Sequence, residues 1–155
     1  MKNLEDYLTS MATTPGDIEA VIRGLSDPLL SKRPDDKNWA AKEIVCHMRD
    51  TEEQFMIRFQ TIMALDEPKL LAVEAERWSS ERQYLRNDGF EALSSFRKRR
   101  NEVLEFLRGL NPEQWNRGGI HPTRGRMSIK DFVTFIAGHD QNHLEQLKRA
   151  VAGQP

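Results

Sequence analysis

The chain has 155 residues, 38% hydrophobic and 30% charged, and its 23 basic and 24 acidic side chains leave a formal net charge of −1. This length suits one domain, residues 1–155, around a single core, and the balanced charge offers no field to draw nucleic acid or an anionic membrane surface. No apolar run approaches a membrane span, the opening MKNLEDYLTS lacks a signal-peptide core, and the single cysteine, Cys46, excludes an internal disulfide, so a cytoplasmic location is expected.

Leu4, Tyr7, Leu8 and Met11 recur at helical spacing and predict a short helix over about 2–12. Thr14-Pro15 reads as N-cap and first position of a second helix, to about Leu25. Pro28 and Pro34 mark 26–38 as a loop. A long helix follows from about Ala40 to Leu65, with an inward stripe of Ala40, Ile44, His47, Met48, Thr51, Phe55, Phe59 and Ile62. Ala40 stands at its start without a capping oxygen, and Asn38 is the alternative N-cap. Residues 66–87 read as a covering loop or short helix around Leu70, Leu71 and Val73. Asp88-x-x-Glu91 resembles a capping box that opens a helix to about Arg108, with Leu93, Phe96, Arg100, Val103, Leu104 and Leu107 inward. Asn111-Pro112 starts one turn carrying Trp115, and Gly118, Gly119, Pro122 and Gly125 predict a loop. Ser128-x-x-Asp131 caps a last helix to about Val151, with a stripe of Ile129, Phe132, Ile136, His139, His143, Leu147 and Ala150. The pattern predicts an all-α four-helix bundle, and the long connection near 66–87 allows a crossover.

Three of the four histidines fall inside those apolar stripes. His139 and His143 are four apart and share one helix face. His47 lies on another inward face. Three imidazoles converging from two helices would make an open metal site, the arrangement catalytic zinc uses with a water in the fourth position. The alternative is a set of core histidines paired with carbonyls or acids. Asp140, not glutamate, follows His139, so the zinc-protease motif is absent.

The blocks around these histidines resemble a known family. Trp39 to His47, WAAKEIVCH, is similar to the W-x-x-x-E-I-x-x-H block of the DinB-like (YfiT-like) superfamily, and Gly138 to Leu147, GHDQNHLEQL, resembles its closing H-D-x-x-H-x-x-Q block. Leu110 to Trp115 and the His121-Pro122-x-x-Gly125 loop are also similar, so the resemblance runs from about Ser26 to Ala150. It implies a four-helix bundle with an unusual connection order. It also implies a divalent metal, zinc or nickel, on His47, His139 and His143. Characterised members include transferases that use a low-molecular-weight thiol, bacillithiol or mycothiol, and others are described as metal-dependent hydrolases.

Arg100 sits in an apolar stripe and must find an anion there. Either it binds an acidic group of a substrate or thiol cosubstrate, or it closes an internal ion pair with Asp50 or a glutamate. His121 either leans over the site to meet substrate or is a plain loop residue. Asp50, Asp140 and Gln146 are candidates to orient a ligand ring from behind. The run Arg97-Lys98-Arg99-Arg100 points several ways on a helix and reads as a solvated face, not a nucleic-acid site. Cys46 points away from the stripe and is expected to be neither ligand nor nucleophile.

The expected function is metal-dependent chemistry on a small molecule. Thiol S-transfer in detoxification or stress response stands first, with hydrolysis by a metal-activated water as the alternative. A non-catalytic metal-binding module is the reading from another class. Apolar surface near the N-terminus and at Leu70–Val73 leads to the expectation of a homodimer.

Overall fold

The fold rests on four long helices, α1 (Leu4–Ile22), α3 (Ala41–Ala64), α5 (Gly89–Arg108) and α7 (Ile129–Val151), in a computed structural model that describes residues 2–155. Single turns α2 (Asp27–Leu30), α4 (Trp78–Glu81) and α6 (Pro112–Trp115) sit in the connections. Strands β1 (Gly118–His121) and β2 (Gly125–Ser128) form a hairpin that leads into α7.

The packing order of the helices follows from their neighbours. α3 lies against α5 and α7, and α1 lies against α7 and α5. Going round the bundle the order is therefore α1, α7, α3, α5, with α1 diagonal to α3 and α5 diagonal to α7. The crossings fall in residues 23–40 and 109–128. The connection 65–88, expected to allow the crossover, instead joins the neighbours α3 and α5.

Capping sets most helix starts. Asn3 and Asp6 exchange bonds at α1, and Ser128 and Asp131 do so at α7. At α5 the Asp88 carboxylate accepts from the amides of Phe90 and Glu91. Ala40 is the N-cap of α3 and has no side-chain oxygen to offer; Glu43 accepts from the Ala40 amide at 3.0 Å, while Asn38 bonds Asp35 instead. Glu43 is held in turn by both arms of Arg33 at 2.7 Å and by Ser79.

Two further expectations fail. The two N-terminal helices are one, with Pro15 inside it. Proline has no N–H, so the Met11 carbonyl one turn earlier loses its helical donor; Arg100 Nη1 donates to it at 2.8 Å instead. The glycine-rich loop is the β1–β2 hairpin, registered Gly118↔Ser128 to His121↔Gly125. A Cβ on Gly118 would stand 2.6 Å from the Met127 carbonyl, and Gly125 takes a positive φ of +74° at the turn.

The core has two apolar halves. One gathers Met11, Phe59, Leu107 and Phe132; the other gathers Ile18, Ile44, Phe96 and Leu147. Between them lies a buried polar layer of one residue from each long helix: Thr14, Glu52, Arg100 and Asp140. The N-terminal stripe packs into the first half, as does Leu70, while Leu71 (83% exposed) and Ala72 stay uncovered in the surface that suggested a homodimer. Among the described residues no helix is long and apolar enough to cross a membrane.

Candidate metal centre

His47 comes from α3, and His139 and His143 from successive turns of α7. Their candidate ligand nitrogens lie within 4.8 Å of one another. The ring centres are 5.6 Å apart for His47 and His139, 4.6 Å for His47 and His143, and 4.4 Å for His139 and His143. α3 and α7 are adjacent in the bundle, so helix packing alone brings the rings together.

The environment keeps these rings neutral. Burial, with added repulsion from His143, lowers His47 to about 3. Burial and the two neighbouring histidines lower His139 to about 2. His143 is also lowered by burial, although Gln146 and Asp140 work against it. A neutral imidazole keeps the lone pair that a metal needs. Gln146 Oε1 lies 2.8 Å from His143 Nδ1, which as its donor carries the proton and leaves Nε2 for a ligand. His47 Nδ1 is buried with no partner, the kind of atom a bound cation would satisfy. The donor set therefore fits a divalent ion, and imidazole suits zinc and nickel alike.

The three rings open onto a cavity of about 720 Å³, within the range of small-molecule sites. Its walls include Trp39, Phe55, Trp78 and Phe135. The 66–87 connection covers one side through Val73, Ala75 and Glu76, and the hairpin turn closes another through His121 to Arg124.

The remaining predicted residues divide sharply. His121 lines the cavity. Arg100 does not: it is 1% exposed and lies in the polar layer. The internal ion pair forms, with Glu52 (2.5 and 3.0 Å) and Asp140 (2.6 and 2.9 Å) and not with Asp50. Burial by itself would lower the pKa of the guanidinium, and the two carboxylates raise it instead. Asp140 accepts from Arg100 and from Thr14 at 2.8 Å, with no bond to a histidine. Asp50 likewise bonds no imidazole; it takes Tyr84 (2.6 Å), Arg49 (2.8 Å), Arg82 (3.0 Å) and Arg99 (3.3 Å), which tie the covering connection and α5 to α3. Its pKa, which burial would raise, is held at about 2 by Arg49 and Tyr84. Cys46 is fully buried, and burial lifts its thiol to about 11, out of the nucleophile range.

Two cavity residues, Arg58 and Arg124, went unread in the sequence. The signal was there for Arg58: His47, Thr51, Gln54 and Arg58 fall at i, i+4, i+7 and i+11 and all line the cavity.

Comparison with known proteins agrees with this fold. The solved structure of YfiT from Bacillus subtilis, described as having an unusual four-helix bundle topology, superposes with a TM-score of 0.88 at 18% identity, covering 98% of this chain and 89% of that one. A protein of Oceanobacillus iheyensis named "Putative metal-dependent hydrolase OB0413" is 22% identical over 98% of this chain and 87% of its own length. The Bacillus subtilis protein named "Putative metal-dependent hydrolase YfiT" is 19% identical over 92% and 81%. The model of the DinB superfamily matches residues 11–147, most of the length and all three histidines, and the chain belongs to that superfamily.

Proposed function

We propose that the protein is a metal-dependent hydrolase of a small molecule. The observation that carries this reading is the opening of three neutral imidazoles onto the cavity floor. A divalent ion held there, zinc or nickel, would supply Lewis-acid activation of the substrate and its nucleophile. The chain's own contribution is binding and orientation. Gln146 fixes the His143 ring, the covering connection and hairpin wall the cavity, and the aromatic walls take the apolar part of a substrate. The names of the relatives support hydrolysis over thiol transfer. Thiol transfer stays as a second reading, because a cavity of about 720 Å³ lies in the upper half of the small-molecule range and leaves room for a small thiol beside an electrophile.

The test is a panel of small esters, amides and lactams with the metal-analysed protein, run alongside thiol consumption in the presence of an electrophile. Turnover without thiol, lost on chelation and restored by metal, supports hydrolysis. Turnover that requires thiol makes the protein a transferase. Inactivity in every arm with metal bound rejects catalysis on these substrates.

A further inference from the structure

The cavity carries positive charge that no carboxylate among the described residues answers. Arg58 stands eleven residues beyond His47 on α3, about 16 Å along the axis at 1.5 Å per residue. Its Nη2 donates to the Leu71 carbonyl at 3.2 Å, its guanidinium carbon lies 5.9 Å from the centre of the Phe132 ring, and its Nε–H is buried without a partner. Arg124, from the hairpin turn, holds its guanidinium carbon 4.6 Å from the Phe135 ring centre, and Phe135 stacks on His139 at 6.0 Å. Glu76 is the one carboxylate lining the cavity among the described residues, and it pairs with neither arginine.

His121 completes the group. Its Nδ1 accepts from the amides of Thr123 and Arg124 at 3.1 and 3.2 Å. A backbone amide can only donate, so the neutral ring carries its proton on Nε2. Burial and the charges of Arg58 and Arg124 lower its pKa, which keeps it in that form. It is a hydrogen-bond donor, not a base.

We propose that Arg58, His121 and Arg124 bind an oxyanion, a carboxylate or phosphate, carried by the small-molecule substrate whose reacting part reaches the three histidines. A half-buried guanidinium with an unused donor is costly without a counter-charge, and an arginine fork matches either oxyanion. Burial already lowers the pKa of Arg58, and a bound oxyanion removes that penalty. The site deepens the reading under Proposed function, on which it rests in treating the cavity's occupant as substrate.

Trp39 and Trp78 line the same cavity and report binding by fluorescence. The full-length protein, as purified and after chelation, is titrated with succinate, inorganic phosphate and the neutral succinamide. An anion should bind at least about tenfold more tightly than succinamide, weaken with ionic strength, and persist after chelation. Tighter phosphate binding assigns a phosphate-bearing substrate, and tighter succinate binding a carboxylate. Arg58→Gln and the exposed Arg124→Gln should each weaken the anion by about tenfold with the helical circular dichroism unchanged. Equal affinity for all three probes, or indifference to both substitutions, overturns the proposal. So does loss of anion binding with the metal, which would put the anion on the histidines and leave the metal reading intact. Anion binding in a protein that takes up no metal would do the reverse.

Discussion

Arg100 on α5 donates two hydrogen bonds to Asp140 on α7, at 2.6 and 2.9 Å, and Asp140 directly follows His139. The same guanidinium holds Glu52 on α3 and the Met11 carbonyl on α1. One side chain thus touches all three other long helices at the level of the metal site. It fixes the rotation of α7, with Asp140 at the centre of the buried face and His139 and His143 on the flank towards the cavity. Arg100→Met should destabilise the protein by about 3–5 kcal/mol, because two buried carboxylates lose their counter-charge. Urea unfolding measures this, and a loss under about 1 kcal/mol would deny the layer its role.

Pro15 and Arg100 are coupled through the Met11 carbonyl, which lacks a helical donor because of the one and is satisfied by the other. Pro15→Ala restores an N–H to that carbonyl. The cost of Arg100→Met should therefore be about 1 kcal/mol smaller in the Pro15→Ala background. Additive effects in the double-mutant cycle would show that the carbonyl does not link them.

Elemental analysis of the purified protein should find about one divalent ion per three-histidine site. His143→Ala and His47→Ala should each abolish it, and Gln146→Leu should weaken affinity by about 10–100-fold through loss of the ring's support. The chelated protein should keep its helical circular dichroism, since both core halves are complete without the ion. Unfolding on chelation would mark the ion as structural.

The metal-free protein should lose stability as acid rises. His47 and His139 sit near 3 and 2 when folded, against ~6.5 when unfolded. Between those values the unfolded chain binds more protons. Their contribution is complete above about pH 6.5 and declines as pH falls towards 3, by up to about 1.4 kcal/mol per pH unit for each ring. Urea midpoints in chelator between about pH 7 and 5 test this where carboxylates at their ordinary values stay ionised, Glu52, which burial raises, being the exception. A flat midpoint over that window would contradict neutral burial, and His47→Gln should reduce the slope.

Helix positions and the three inward histidines were legible in the sequence because both follow from local spacing. Apolar residues at i, i+3, i+4 and i+7 define a face whatever it packs against, and His139 and His143 share theirs by the pitch of the helix. The inward stripe of α3, read from spacing, is buried from Ala40 to Ile62. What spacing could not supply was the partner of each face. The ring order α1, α7, α3, α5 depends on which helices touch, so the crossings fell in 23–40 and 109–128 and not in the longest connection. Pro15 read locally as a helix start. A donor 85 residues further along the chain, Arg100, answers the carbonyl that the proline leaves free. Arg100 itself was legible as a buried charge in need of an anion. That the anions are Glu52 and Asp140, and not a substrate, was decided by packing, because the energy of a buried charge depends on neighbours that only the assembled bundle brings within hydrogen-bond reach.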